Sequence, residues 1–213
     1  MASPPARKRI FLVDDHPITL AGMRQLIESE PGLSVCGTAR SAEEALTLIG
    51  TALPEMIITD VTLPGKNGIE FTKDLKTLHP GIPILIVTMH DELIYAERAL
   101  RAGARGFLMK EATIDLLLDA IAQILAGRIF VSERMSSQIL QNLTGQKPRG
   151  SKSPIERLSD REFEVFQLLG QGRTTHQIAQ QLHLSPKTID VHRAHIKEKL
   201  GIGNVTEIGR AHV

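Results

Sequence analysis

Five short apolar runs, each followed by a stretch of helical periodicity, constrain this chain more tightly than anything else in it. They are Arg9–Val13, Leu33–Ala39, Met56–Thr59, Pro83–Thr88 and Gly106–Met109. Short apolar runs bounded by turn residues read as buried strands. After the first, Leu20, Met23, Leu26 and Ile27 recur at helical spacing. After the second, Ser41 with Glu44 supplies an N-cap and an acid at the third helical position. Further helices are expected over residues 68–78, 93–102 and 114–125. Such alternation of strand and helix dictates an α/β fold, a five-stranded parallel sheet with helices on both faces and right-handed crossovers.

The residues that close the runs carry the chemistry. Asp14 and Asp15 follow the first, Asp60 the third, Thr88 ends the fourth and Lys110 follows the fifth. All belong to the C-terminal edge of the sheet, where open parallel sheets bind ligands. Taken singly, an acid after an apolar run is more often a helix cap or turn residue, and an Asp pair is as often solvated as metal-binding. Together, three carboxylates persist ionised only beside positive charge. A hard divalent ion such as Mg2+ suits oxygen ligands, Lys110 adds a fixed charge, and Thr88 a hydroxyl donor. That set suits a phosphoryl group carried on Asp60, with cation and ammonium neutralising its oxygens.

At 213 residues the chain has room for one large domain or two small ones. Its 25 Lys and Arg nearly balance 24 Asp and Glu. The acids are in excess up to about residue 130 and the bases after it, which hints at an acidic chemical domain followed by one that meets a polyanion. One cysteine, Cys36, excludes an internal disulfide framework and fits a reducing cytoplasm. No apolar run approaches the roughly 20 residues of a membrane span, and the run after the basic start is too short for a signal-peptide core. A cytoplasmic protein without a membrane partner is expected.

Past Gly127 the pattern changes. We expect a first domain over 1–128, a linker over 129–155 with a helix from Ser132 to Leu143, and a second domain over 156–213. Residues 144–154 are rich in Gly, Pro, Ser and basic residues and read as a tether. Ser159 with Glu162 and Thr174 with Gln177 are capping boxes, and Ser185-Pro186 opens a third helix. Short capped helices separated by His183-Leu184 meet the requirement of a helix-turn-helix, so a small all-α domain is expected. On the third helix Ile189, Ile196 and Leu200 line one face. Lys187, Val191, Ala194 and Glu198 lie opposite, with Thr188, Asp190 and Lys197 on the flanks. Recognition helices read bases mainly near their N-terminus, so Lys187, Asp190, Val191 and Ala194 are candidates for the groove, with Arg193, Lys197 and Lys199 for phosphates. A solvated amphipathic helix in a small bundle is the competing reading for this helix alone.

Val13-Asp-Asp-His-Pro17, Asp60 with Pro64-Gly65 and Asn67-Gly68, Thr88, and Gly103-Ala104 with Lys110 resemble the receiver domain of two-component response regulators, a flavodoxin-like fold. Leu158-Ser-Asp-Arg-Glu162, Gly172, Ile178-Ala179, Leu184-Ser185, Lys187-Thr188-Ile189, Val191-His192 and Lys199-Leu200-Gly201 resemble the LuxR-type helix-turn-helix of NarL/FixJ regulators. Together the resemblances span nearly the whole chain in the order of that subfamily. They imply that Asp60 is the phosphoacceptor, and that Asp15 binds Mg2+ directly and Asp14 through water. They also imply a backbone ligand from Thr62, phosphoryl contacts from Thr88 and Lys110, and an aromatic switch at Phe107. Glu111 stands where many receivers carry proline. In the family a further helix follows Lys199-Leu200-Gly201; here Asn204 starts one, but Ile208–Val213 stops short and carries a glycine.

The implied function is a transcriptional response regulator. A sensor histidine kinase is its phosphodonor, double-stranded promoter DNA its target, and a homodimer its phosphorylated form, with slow release of its own phosphate tuned by Thr62 and His90. Two rivals stand beside it. A phosphorylation-independent DNA-binding regulator would keep the receiver fold as a scaffold. An aspartyl-phosphate phosphatase would need an acid two residues after the nucleophile, where Thr62 stands.

Overall fold

The structure, a computed structural model, describes residues 7–143 and 154–201. All of the tether expected over 144–154 except Pro154, and the helix expected from Asn204, lie outside the described residues. The chain divides into two compact units, residues 1–144 and 145–213.

In the first unit the strands are β1 (Lys8–Val13), β2 (Leu33–Ala39), β3 (Met56–Thr59), β4 (Ile84–Thr88) and β5 (Gly106–Met109). The intervening helices are α1 (Pro17–Ser29), α2 (Ala42–Ala52), α3 (Gly68–Leu78), α4 (Glu92–Ala102) and α5 (Ile114–Leu125). All strand pairings are parallel, in the order β2-β1-β3-β4-β5. Successive strand side chains point to opposite faces, and the buried residues divide accordingly. Ile10, Leu12, Met56, Ile58, Leu85, Val87 and Leu108 share a core with residues of α1 and α5. Phe11, Val13, Ile57 and Ile84 share the other with residues of α2 and α3. Because both faces are covered, the central strands β1, β3 and β4 are buried and apolar along their inner residues, while the edge strand β2 is half-buried and admits Ser34 and Thr38.

Helix starts follow local chemistry. Ser41, Asn67, Asp91 and Thr113 each accept a backbone N–H of the first turn of α2, α3, α4 and α5. Gly103, at φ +107°, closes α4. The helix expected within the linker forms as α6 (Glu133–Leu143). It belongs to the first unit, with Met135 fully buried and Ser132 Oγ donating to Glu92 Oε1 at 2.8 Å. Just before α6, Phe130 pairs in parallel with Gly106 and extends the sheet beyond β5.

The second unit holds a 3-10 turn (Pro154–Arg157) and helices α7 (Asp160–Gly170), α8 (Thr175–Gln181) and α9 (Pro186–Leu200). Both expected capping boxes are present, at Ser159/Glu162 and Thr174/Gln177. Phe163, Val165, Phe166, Leu168, Ile178, Leu182, Ile189 and Ile196 are buried. Between α8 and α9 His183 takes φ +54°, and Leu184 N–H returns to Ala179 O at 2.9 Å. That left-handed residue reverses the chain within a short turn, leaving α9 to begin at Ser185, whose hydroxyl accepts from Thr188 N–H at 3.1 Å.

Candidate acidic centre and nucleic-acid interface

The loops after β1 and β3 deliver their acids to one place. Backbone bonds from Asp60 N–H to Val13 O (3.0 Å) and from Asp14 N–H to Ala39 O (3.1 Å) continue the sheet past its last strand residues. They fix Asp14 and Asp60 side by side. Gly68 holds the β3 loop closed: its N–H donates to Val61 O at 2.8 Å. A Cβ at Gly68 would stand 1.8 Å from Asp60 O, so no other residue fits without moving the backbone that carries Asp60. Asn67, buried, caps α3 by accepting from Glu70 N–H at 2.9 Å.

Asp14 and Asp60 are 1% and 5% exposed. Lys110 Nζ reaches both, 2.6 Å from Asp14 Oδ2 and 2.7 Å from Asp60 Oδ2. The first contact lies outside hydrogen-bond geometry and is an ion contact; the second is a hydrogen bond. Burial pushes the Asp14 carboxyl above its ordinary range, against the pull of Lys110 and the His16 N–H. Burial acts to lower Lys110, but the two carboxylates outweigh it and hold the ammonium above its usual value.

Ligand atoms of Asp14, Asp15, His16 and Asp60 all lie within 4.8 Å of one another. Three carboxylates against one ammonium leave two negative charges, which one divalent cation balances. The donors and charge therefore fit such an ion.

Thr62 N–H donates to Asp60 Oδ1 at 3.3 Å, and Thr62 Oγ1 pairs with His90 Nε2 at 2.8 Å. His90 N–H donates weakly to Thr88 Oγ1 at 3.4 Å, so Thr62, His90 and Thr88 form a chain along the rim. Lys110 N–H donates to Thr88 O at 2.8 Å, which ties the two strand ends together. His90 stacks beside Tyr95 at 4.4 Å between ring centroids, and burial depresses its basicity. Phe107 lies in β5 opposite Ile86 and is buried. His16, present in the sequence only as part of the Val13-Asp-Asp-His-Pro17 motif, joins the acids here, and its place directly after Asp14 and Asp15 is the signal for it.

In the second unit α9 exposes Lys187, Asp190, Val191 and Ala194 together, with Thr188, Arg193 and Lys197 half-buried. Two of the candidate phosphate contacts also link helices within the unit. Lys199 Nζ bonds Glu162 Oε2 at 2.6 Å and so links α9 to α7. Arg193 Nη1 donates to Thr175 Oγ1 at 2.6 Å, so the guanidinium spans α9 to α8 with only its other N–H groups left to face outward. Leu200, expected inward, is half-buried.

Residues 10–122 match the response regulator receiver domain family, and residues 156–211 the bacterial regulatory proteins of the luxR family. The chain is 34% identical over 200 residues to the response regulator GacA of Pseudomonas protegens, covering 94% of this chain and 92% of that protein. It is 37% identical over 201 residues to the transcriptional activator protein ExaE of Pseudomonas putida, covering 93% and 92%. Among solved structures, RcsB from Salmonella enterica serovar Typhimurium, bound to promoter rprA with the phosphomimetic BeF3-, superposes with a TM-score of 0.64 at 25% identity. That match covers 96% of this chain and 97% of RcsB. A LuxR-family response regulator from Aurantimonas sp. SI85-9A1 is 40% identical, with a TM-score of 0.61, over 65% of this chain and 99% of its own. With a receiver fold carrying clustered acids, followed by a LuxR-type helix-turn-helix, the chain belongs to the NarL/FixJ family of two-component response regulators.

Proposed function

We propose that this regulator is a phosphorylation-controlled transcription factor in which Asp60 accepts a phosphoryl group from a sensor histidine kinase. The observation that carries the reading is the meeting of Asp14 and Asp60 on Lys110 Nζ. Asp14, Asp15, Asp60 and the Thr62 backbone carbonyl would hold Mg2+, which when bound neutralises charge on phosphoryl oxygens. An Asp60 carboxylate oxygen attacks phosphorus. A P–O bond forms, the P–N bond to the donor imidazole breaks, and its electron pair returns to that ring. Thr62 N–H orients the carboxylate through Oδ1, and Lys110 shifts its ammonium from the carboxylate to the new phosphoryl oxygens.

The output follows from the same groups. Thr88 Oγ1 turns from His90 N–H to donate to the phosphoryl group. Phe107, two residues along the neighbouring strand, responds as the switch. Phosphate thus favours one of two states of the β4–α4–β5 face, and that state pairs two copies. RcsB, at 26% identity, is described as forming dimers on DNA. Lys187, Thr188, Asp190, Val191 and Ala194 of α9 enter the groove, while Arg193 and Lys197 meet phosphates. The Thr62–His90 hydrogen bond crosses the rim beside Asp60 and slows the approach of water to the acyl phosphate. No described helix is long and apolar enough to cross a membrane, and the lone cysteine suits the cytoplasm.

The test is promoter affinity across a salt titration, with and without acetyl phosphate and Mg2+. The phosphodonor should tighten binding by the wild type and leave Asp60→Asn unchanged. Equal affinity in both states would instead establish a phosphorylation-independent regulator.

A further inference from the structure

The backbone of His16 serves α1 and Asp14, while its ring is turned to the acids. The residue occupies the N-cap of α1 but its ring makes no capping hydrogen bond, and Pro17 supplies the helix start. Instead Nδ1 points back at the acids, 2.6 Å from Asp15 Oδ1 and 3.3 Å from Asp14 Oδ1. Asp14 divides its oxygens between two sides. Oδ2 faces Lys110 Nζ, and Oδ1 accepts the His16 N–H at 2.9 Å and faces the imidazole. Asp14 Oδ2 is buried with Lys110 Nζ as its ion contact, so the His16 N–H on Oδ1 and the ammonium on Oδ2 together orient the carboxylate.

An oxygen-only site favours Mg2+, whereas an imidazole suits Zn2+, Ni2+ and Co2+. Zn2+ takes three or four N and O ligands at about 2.0–2.2 Å, and pulling in four donors already within 4.8 Å requires only small side-chain adjustments. The His16 side chain is 64% exposed, so an ion arriving from solvent reaches it.

We propose that His16 Nδ1 makes this cluster a site for a borderline divalent ion, Zn2+ first among them, bound with Asp14, Asp15 and Asp60 in competition with Mg2+. This rests on the reading that the acidic cluster holds a divalent ion. Bound there in place of Mg2+, Zn2+ draws on the imidazole that Mg2+ does not need, so His16 sets the ion preference of the cluster.

The experiment uses the full chain and its His16→Ala and Asp14→Asn variants. Co2+ is titrated in and followed by its visible absorption, which reports nitrogen in the coordination shell; Zn2+ and Mg2+ then displace it. In the wild type Zn2+ should displace Co2+ at far lower concentration than Mg2+. The ratio of Zn2+ to Mg2+ affinity should fall at least about tenfold in His16→Ala, and Asp14→Asn should lose both ions. A ratio unchanged in His16→Ala overturns the proposal, as does Co2+ absorption that persists in both variants, since that ion sits elsewhere. Mg2+ affinity unmoved in Asp14→Asn overturns the underlying reading of the cluster instead.

Discussion

Lys110 Nζ lies 2.7 Å from Asp60 Oδ2, an ammonium from the loop after β5 bonded to a carboxylate carried 50 residues earlier. The same ammonium is in ion contact with Asp14. Removing it leaves two buried carboxylates facing each other without the ammonium that would neutralise a developing phosphoryl group. Lys110→Ala should cut the rate of labelling by acetyl phosphate about 100-fold, measured with Mg2+ saturating. A rate within a few-fold of wild type would remove Lys110 from the reaction.

Gly68 is required by the acceptor loop and not by α3. Its missing Cβ is the space in which Asp60 O sits. Gly68→Ala should destabilise the first unit by about 3 kcal/mol, read from urea denaturation. A helix-propensity effect alone would have the opposite sign, since Ala is the better helix former.

Most of the first unit was legible because its information is local. β2, β3, α3, β5 and α5 form over the expected residues, each set by an apolar run or a cap that adjacent residues announce. The capping boxes at Ser159 and Thr174 were readable for the same reason. What escaped depends on partners distant in sequence. Lys199 looked like a free cation on a helix end until α7 brought Glu162 to it, 37 residues away. Arg193, read from its helix face as a phosphate contact, also bonds Thr175 of α8, 18 residues away. The buried pair Arg161–Glu164 at 2.6 Å sits on a helix whose apolar stripe gave no hint that its charged residues are also enclosed.

Glu162 makes the second unit sensitive to acid. Burial pushes its carboxyl up, but bonds from Lys199 Nζ and from the N–H and hydroxyl of Ser159 outweigh that and hold it below its ordinary value. A depressed folded value contributes stability that is present above the unfolded value of about 4.3. That stability is lost as pH falls through the folded value. Glu162→Gln should cost about 1–2 kcal/mol at neutral pH and flatten the decline of stability below about pH 5. Denaturation series of the full chain across that range check both.

On DNA, Lys187 and Lys199 should separate cleanly. Lys187 is exposed at the start of α9, and Lys187→Ala should weaken binding and reduce the salt slope by about one. Lys199 is committed to Glu162, so Lys199→Ala should lower stability and leave the salt slope unchanged. A matching slope change in both would return Lys199 to the phosphate contacts.

Intact-protein mass spectrometry after treatment with acetyl phosphate and Mg2+ tests most directly whether Asp60 carries the phosphoryl group. One phosphoryl group per chain is expected, mapped to Asp60 and absent from Asp60→Asn. Stoichiometric labelling that survives in Asp60→Asn would contradict the assignment.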